Sequence, residues 1–300
     1  AITNGVLRDS LAFDGLIVTD ALTMGAIVSR FGPGESPVRA FLAGSDILLM
    51  PSDLRAAQEA MLGAVGSGRI SVERLDRSVR RVLQLKFDAG LFNQRTVELD
   101  SVPGVVGQRA FQDIADDLAQ RALVLVQRGP LDAFRVARGR AAVITYAEET
   151  NLGVGGVLVD ELRTAGDTVG TFRLYPSSGT MSYDSARVLI RTYPRVIFAV
   201  SVRPIAWRGH VALPDSLARL ILWADTTRAM VLASFGSPYL LHQLPGFRST
   251  YLLAWSDAFA TERAVATALA LGAPITGRLP VTLSPEHPRG FGIDVAERRP

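Results

Sequence analysis

Two short apolar runs decide the fold of the first part of the chain: Gly15-Leu-Ile-Val-Thr-Asp20 and Asp46-Ile-Leu-Leu-Met50. Runs of this length and apolarity are typical of strands that are buried on both faces of a parallel sheet. Residues 36–43, which lie between them, predict a short helix, and Gly44 suits the positive φ that often ends one. The order of strand, helix and strand indicates βα units.

Helices follow these two runs. Residues 53–65 predict a helix with Asp53 as its N-cap, and Ser71 begins another whose apolar residues recur at helical spacing. The opposite face of that second helix is basic, and we expect it to face solvent; it carries Arg74, Arg77, Arg80 and Arg81. Residues 93–105 lose periodicity and indicate a linker, and helix returns at 106–121.

The second part of the chain alternates strands with helices. The predicted strands are 123–127, 141–145, 168–174, 195–201, 230–235 and 250–255, and the predicted helices are 154–165, 183–191, 214–224 and 259–271. This alternation predicts a parallel sheet with helices on both faces. A final apolar strip, residues 278–283, contains Pro280 and is therefore expected at a sheet edge. The chain divides near residue 100, and its first part is best explained as the end of a larger βα structure.

Composition excludes several classes of function. The 300 residues have a formal charge of +3 with scattered arginines and a single lysine, Lys86, so we expect no nucleic-acid partner. Cysteine is absent, and the three histidines do not stand at metal-ligand spacing, so we predict no metal site. No organic cofactor is predicted either. No apolar run approaches the roughly 18–20 residues of a membrane span, and the start of the chain does not look like a signal peptide. Cellular location and oligomeric state are left open.

Asp20 is the candidate catalytic residue, because it ends its apolar run. In a closed βα barrel the carboxyl ends of the strands face the active site, and a rigid strand would hold the carboxylate in line with a reacting carbon. The competing interpretation is an aspartate that caps the following turn. Leu22 and Met24 follow it, and they would either line the pocket beside Asp20 or pack at the rim of the barrel.

The surrounding sequence resembles a known family. The segment Phe13-Asp-Gly-Leu-Ile-Val-Thr-Asp-Ala-Leu-Thr-Met24 is similar to the nucleophile segment of glycoside hydrolase family 3, and its Ala-Leu-Thr-Met ending looks like the β-N-acetylhexosaminidase branch. β-Glucosidase members more often have Trp where this chain has Ala21. The resemblance continues through residues 40–51 and 68–92, and it is looser at 121–127 and 276–282.

This resemblance implies an α/β fold: the last βα units of a TIM-type (β/α)8 barrel in residues 1–92, a linker and helix in 93–121, and a doubly wound αβα sandwich domain in 122–300. It also implies a retaining glycosidase that acts on a carbohydrate substrate, terminal β-linked N-acetylglucosamine of peptidoglycan or chitin fragments, with Asp20 as the nucleophile. The branch takes its acid/base from a His–Asp pair on a barrel loop and carries a Lys-His-Phe-Pro-Gly phrase. Neither is present here, so we expect the 300 residues to be inactive unaided.

Alternatives to this assignment are kept open. The chain could act as a β-glucosidase or β-xylosidase of the same family, or as a non-catalytic piece whose αβα domain binds sugar or a partner. His210 is a replacement acid/base, and Trp207 in the same loop could stack on a sugar, although a solvated surface loop explains both residues. Gly153-Val-Gly-Gly156 lacks the spacing and the lysine of a nucleotide-binding loop.

Overall fold

A computed structural model describes residues 2–130, 139–204 and 211–297. The chain forms two compact units, Ala1–Val102 and Pro103–Pro300, which we call the N-terminal and C-terminal units. The division falls inside the segment predicted as linker and helix. None of the helices in the described ranges combines the length and the apolar character that crossing a membrane requires.

The N-terminal unit consists mainly of helices. They are a π-helical segment at Ile2–Ser10, α1 at Gly25–Ala43, α2 at Leu54–Gly66, α3 at Val72–Asp88 and a short 3₁₀ turn at Leu99–Ser101. The helix α4, Val102–Val105, follows directly. The predicted caps are confirmed: Asp53 accepts a hydrogen bond from the Ala56 N–H at 3.0 Å, and the Ser71 hydroxyl accepts one from the Arg74 N–H at 3.2 Å.

The helix α1 is longer than the predicted 36–43. It begins at Gly25 and is interrupted at Gly32, whose φ of 68° and ψ of 173° are not helical, just before Pro33. Proline pushes the preceding residue out of the helical region, and glycine tolerates the positive φ, so the pair makes the kink. The helix ends at Gly44 with φ 122°, as predicted.

The two apolar runs of the N-terminal unit, residues 15–20 and 46–50, lie side by side and parallel. Val18 and Ile47 form a parallel β-bridge, the Ile47 N–H donates to the Ile17 carbonyl at 3.1 Å, and the Leu22 N–H donates to the Leu49 carbonyl at 2.9 Å. The pairing is thus limited to one bridge and its neighbouring hydrogen bonds rather than the two full strands that were predicted. Among the described residues of this unit, no third strand lies beside the pair to extend it.

The C-terminal unit is built on a six-stranded sheet. The strands are β1 Val124–Gln127, β2 Arg140–Tyr146, β3 Thr168–Leu174, β4 Arg195–Val200, β5 Ala229–Ser234 and β6 Thr250–Leu253. The helices are α5 Arg109–Ala122, α6 Gly156–Thr164, α7 Thr180–Thr192, α8 Asp215–Asp225 and α9 Phe259–Ala266, with a 3₁₀ segment at Pro238–Gln243 and a π-helical one at Thr267–Leu271. All six predicted strands are therefore found near their predicted positions.

The sheet order is β1-β6-β5-β4-β2-β3. The direction of one strand differs from the prediction of a parallel sheet. Every neighbouring pair is parallel except β1 and β6, which run antiparallel. β1 lies at the edge and is the first strand of the sheet, so no crossover helix from an earlier strand constrains its direction. Its short sequence carries no signal of orientation, which is why an all-parallel sheet was wrongly expected.

The strip at residues 278–283 is not an edge strand, which corrects a second prediction. Leu279 exchanges two hydrogen bonds of 2.8 Å with the C-terminal loop, donating to the Phe291 carbonyl and accepting from the Gly290 N–H. Leu279 and Leu283 are buried against one face of the sheet. The apolar pattern of the strip thus reflects a loop that covers the core, and Pro280 interrupts any longer ladder.

Successive residues of each central strand face opposite helical layers. Val143, Ile197 and Val231 pack with residues of α6 and α9, whereas their neighbours Ile144, Phe198 and Leu232 pack with residues of α7 and α8. All six side chains are fully buried, and each contributes about 1.5–3 kcal/mol to folding. The burial on both faces explains why the strands read as continuous apolar runs.

Candidate active site

Asp20 stands at the end of an anchored backbone segment. On its N-terminal side, the Thr19 N–H donates to the Ile47 carbonyl at 3.1 Å, and the Thr19 hydroxyl accepts from the Leu49 N–H at 2.9 Å. The Asp20 side chain is exposed, and its Oδ1 accepts from the Ala21 N–H at 2.7 Å. That contact is the one expected of a turn cap. Among the described residues no group donates to Oδ2, so one oxygen is available to an electrophile.

Leu22 and Met24, the two residues predicted to accompany Asp20, have different environments. Leu22 is buried, with 6% of its surface exposed, and its N–H is tied to the Leu49 carbonyl. Met24 is 43% exposed, and its carbonyl accepts the first hydrogen bonds of α1, from Ile27 and Val28. Met24, four residues after Asp20, is therefore accessible, whereas Leu22 packs into the interior.

Asp46 is the most densely bonded carboxylate of the N-terminal unit. Its side chain is fully buried and accepts hydrogen bonds from Arg8 at 2.7 Å, from the Ser78 hydroxyl at 2.5 Å and from the Ile17 N–H at 3.1 Å. Arg74 and Arg81 each lie 3.4 Å from Oδ1, the oxygen that also accepts from Ser78. The network joins the π-helical segment Ile2–Ser10, both apolar runs and α3. It therefore fixes the segment that leads to Asp20.

This network corrects the prediction that the basic face of α3 is simply solvated. Arg74 and Arg81 are only 17% and 26% exposed, and both are directed at Asp46. Arg74, Ser78 and Arg81 follow one another at spacings of four and three residues, so they share one face of the helix. That spacing, together with a carboxylate at the start of a buried strand, is the sequence signal that could have revealed the cluster.

The ionisation of Asp46 reflects these contacts. Burial alone would raise its pKa, but the Ser78 and Ile17 hydrogen bonds and the charges of Arg81 and Arg8 outweigh burial, and the pKa lies below the ordinary value of 3.8. A lowered pKa means that the ionised form stabilises the fold. This stabilisation is present at neutral pH and is lost as the pH falls below about 4.

A second polar cluster lies at the carboxyl edge of the sheet in the C-terminal unit. Asp257 accepts from Asn151 at 2.7 Å, from the Ser201 hydroxyl at 2.9 Å and from Arg203 at 3.0 Å. Arg203 also lines a cavity of about 520 Å³, together with Trp255, whose φ of 68° is rare for a residue with a side chain. No sequence pattern had pointed to this cluster. Trp207 and His210, which were named as candidates from the sequence, lie outside the described residues.

The glycine-rich turn at 153–156 is occupied by an internal carboxylate. Glu262 of α9 is fully buried and accepts from the Gly155 N–H at 2.7 Å and from the Leu158 N–H at 3.1 Å, at the start of α6. Gly155 has φ 83°, and a Cβ there would lie 2.5 Å from the Thr145 hydroxyl. These donors would otherwise be available to a bound anion, so the turn serves the interior of the protein rather than a nucleotide.

Replacing Glu262 by alanine should destabilise the protein by about 2–4 kcal/mol, because two buried amides would lose their acceptor. Urea unfolding measures the change. The matched control is Asp160→Ala on the exposed face of α6, where a loss of less than about 1 kcal/mol is expected. Equal losses in the two variants would contradict a special role for the buried carboxylate.

The same glutamate gives a pH dependence. Burial raises the pKa of Glu262, and the hydrogen bonds from Gly155, Leu158 and Val157 only partly offset this effect. A raised pKa means that its contribution to stability is full below the ordinary value of 4.5 and declines as the pH rises through the folded-state value. The stability advantage of the native protein over Glu262→Gln should therefore shrink as the pH rises.

The two described histidines have structural partners. His242 Nε2 lies 2.7 Å from the Leu283 carbonyl, and His287 Nδ1 lies 3.1 Å from the Ser284 hydroxyl. His287 thus has a partner that the sequence did not suggest. Within the described ranges, no group of three or more His, Asp or Glu side chains is arranged to hold a metal ion.

Known proteins resemble the chain in sequence and in structure. Residues 1–85 match the model of the glycosyl hydrolase family 3 N-terminal domain. A β-N-acetylglucosaminidase/β-glucosidase of Cellulomonas fimi is 28% identical over 302 residues, covering 93% of this chain and 51% of the relative. A periplasmic β-glucosidase/β-xylosidase of Dickeya chrysanthemi is 31% identical over 42% of this chain and 22% of its own length.

Solved structures agree with these relatives. A family 3 β-N-acetylglucosaminidase from Paenibacillus sp. strain FPU-7 superposes with a TM-score of 0.76 and 26% identity, over 93% of this chain and 53% of that one. A β-glucosidase from Listeria innocua shares the fold at a TM-score of 0.72 and 18% identity, over 93% and 42% of the two chains. The chain spans about half the length of such relatives. Residues 1–85 thus match the family 3 N-terminal domain, and the chain as a whole is similar in sequence and structure to proteins of glycosyl hydrolase family 3.

Proposed function

We propose that the chain is the nucleophile-bearing part of a retaining glycoside hydrolase that releases terminal β-linked N-acetylglucosamine. The observation that carries this proposal is the placement of Asp20: an exposed carboxylate at the end of an anchored extended segment, within the residues that match the family model. A rigid support of this kind suits a group that must attack one carbon in line.

In the proposed reaction, an Asp20 oxygen attacks the anomeric carbon and forms a covalent glycosyl-enzyme while the glycosidic oxygen leaves. A second group protonates that oxygen and then activates the water that releases the sugar. We assign this second role to no residue of the chain. The three histidines stand at 210, 242 and 287, so residues 1–102 contain none that could serve beside Asp20. We propose that the acid/base belongs to the part of the relatives that this chain does not span.

The proposed fold assignment rests on the same comparison. Residues 1–92 would be the last βα units of the barrel, 93–121 the linker and helix, and 122–300 the αβα sandwich domain. Strand-type side chains that remain exposed support the first of these, with Val18 at 49%, Leu49 at 42% and Met50 at 58%. Buried barrel strands carry such side chains in contact with neighbouring units.

Substrate choice has two candidates. The segment Ala21-Leu22-Thr23-Met24 and the Paenibacillus structure favour N-acetylglucosamine. The Cellulomonas relative is named for both β-N-acetylglucosaminidase and β-glucosidase activity, so a β-glucosidase is the second candidate. The acetamido group is the chemical difference that a site could exploit, by providing hydrogen-bond partners that glucose leaves unpaired.

A protein that carries this chain together with the preceding βα units should hydrolyse 4-nitrophenyl N-acetyl-β-D-glucosaminide with a kcat/KM about tenfold or more above that for the glucoside. The 300 residues alone should hydrolyse neither. Equal or reversed preference would favour the β-glucosidase. Hydrolysis by the 300 residues alone would contradict the assignment of the acid/base outside them. Sugar binding without turnover in the longer protein would indicate a non-catalytic role.

A further inference from the structure

A cavity of about 490 Å³ in the N-terminal unit is lined by five arginines and by no acidic side chain. It lies between the π-helical segment Ile2–Ser10, the end of α1 and the first turns of α3. The lining arginines are Arg8, Arg69, Arg74, Arg77 and Arg81, and the remaining lining residues are Asn4, Leu42, Gly44, Gly68 and Ser71. Five guanidinium groups around one space repel one another unless negative charge compensates them.

The available carboxylates only partly compensate this charge. Arg8, Arg74 and Arg81 converge on a single buried carboxylate, Asp46, which lies behind the wall of the cavity. Arg81 also approaches the exposed Asp14 at 3.3 Å. Three positive guanidinium groups therefore pair with only two negative charges, one buried and one exposed to solvent.

The two arginines at the rim differ in their partners. Arg69 makes two hydrogen bonds to Glu35, at 2.8 and 2.5 Å, and that carboxylate also receives Arg39. Arg77 has no carboxylate within ion-pair distance among the described residues of the chain. Its charge nevertheless reaches the Glu73 carboxyl group one turn earlier, whose pKa is lowered by its own backbone and Ser71 hydrogen bonds and, to a smaller extent, by Arg77.

The pKa of Arg74 is lowered by burial and, in part, by the neighbouring positive charges. Burial lowers its pKa first, Asp46 opposes this, and the neighbouring charges of Arg77 and Arg81 lower it further. An added anion in the cavity would relieve this repulsion, and the planar guanidinium forks match the geometry of oxyanions.

We propose that this cavity binds a phosphate group, either as inorganic phosphate or as the phosphate monoester of a small molecule. Two negative charges on one compact group compensate several guanidinium groups better than a single carboxylate does. The Ser71 hydroxyl adds a polar group to the wall. The cavity volume exceeds that of one phosphate ion and leaves room for an ester substituent. This site is separate from the chemistry proposed for Asp20 and does not depend on it.

Isothermal titration of the protein with inorganic phosphate, against chloride at constant ionic strength, tests the proposal. We expect saturable one-to-one binding that Arg77→Gln weakens about tenfold, because a charge-assisted hydrogen bond is lost. The matched control is Arg80→Gln on the same helix, exposed and outside the cavity, for which binding should stay within twofold. Arg77 has no ion-pair partner among the described residues, so its replacement should leave folding intact, as thermal unfolding will show.

The remaining arms decide between phosphate sources and competing explanations. Tighter binding of N-acetylglucosamine 6-phosphate than of inorganic phosphate would identify the ester, and equal binding would identify the phosphate group itself. Absence of saturation, or equal weakening by Arg77→Gln and Arg80→Gln, would overturn the proposal, because only diffuse attraction would remain. Asp20→Asn should bind phosphate like the native protein, so failure of this site and failure of the glycosidase assignment give different results.

Discussion

Replacement of Asp20 by asparagine is expected to reduce kcat for the N-acetylglucosaminide by about a thousandfold or more, in a protein that carries the preceding βα units. Asparagine keeps the size of the side chain and can still accept from the Ala21 N–H, but its amide cannot attack the anomeric carbon. The side chain is exposed, so the free energy of unfolding should change by no more than about 0.5 kcal/mol. Initial rates and urea unfolding of the same samples give both numbers.

Two further measurements separate a nucleophile from a residue that only shapes the turn. Asp9→Asn, also exposed in the N-terminal unit, is the matched control and should retain full activity. Acid-quenched turnover followed by mass spectrometry should find one sugar residue attached to the peptide that contains Asp20. Substantial residual turnover in Asp20→Asn, or a sugar attached elsewhere, would remove Asp20 from the role.

Replacement of Asp46 by asparagine should destabilise the N-terminal unit by about 3–5 kcal/mol. The reason is the charge that stays behind: Arg8, Arg74 and Arg81 would surround a neutral amide in a partly buried site. Hydrogen exchange of the amides in residues 17–22 is the most direct measurement, because Asp46 itself accepts from the Ile17 N–H. Faster exchange there should accompany a lower denaturation midpoint.

The pH dependence of stability gives a second test of the role of Asp46. Because the pKa of Asp46 is lowered, the difference between the native protein and Asp46→Asn should be largest at neutral pH and should shrink below about pH 4. Asp76→Asn on the exposed face of α3 is the control, with an expected change within about 0.5 kcal/mol. A pH-independent difference would mean that shape rather than charge makes Asp46 important.

Local signals in the sequence predicted much of the fold. The caps at Asp53 and Ser71 and the glycine end at Gly44 follow from short-range stereochemistry, and the structure confirms them. Five of the six strands of the C-terminal unit could be recognised because both of their faces are buried, whereas β3 is partly exposed. The reversed direction of β1 depends on pairing between residues more than 100 positions apart, such as Val124 and Leu253, and no local pattern encodes that pairing.

The candidate site was predicted less completely. Asp20 could be named because a strand end and a family motif coincide there, and the structure adds its anchoring through Thr19. The partners of Asp46 were missed, because a solvated arginine and a buried one look alike unless their helical spacing is considered together with a carboxylate at the start of a buried strand. The Asp257 cluster joins three separate loops, and only the sheet topology brings those loops to one edge.

Glu262 has a consequence for protein engineering. In other doubly wound domains the first turn of a helix after a glycine-rich loop receives a cofactor's pyrophosphate, and here a side chain from another helix already fills that position. Adding glycines to the loop would not create affinity for a dinucleotide while this carboxylate remains. A design effort would have to begin by vacating position 262 and supplying the buried amides with a replacement acceptor.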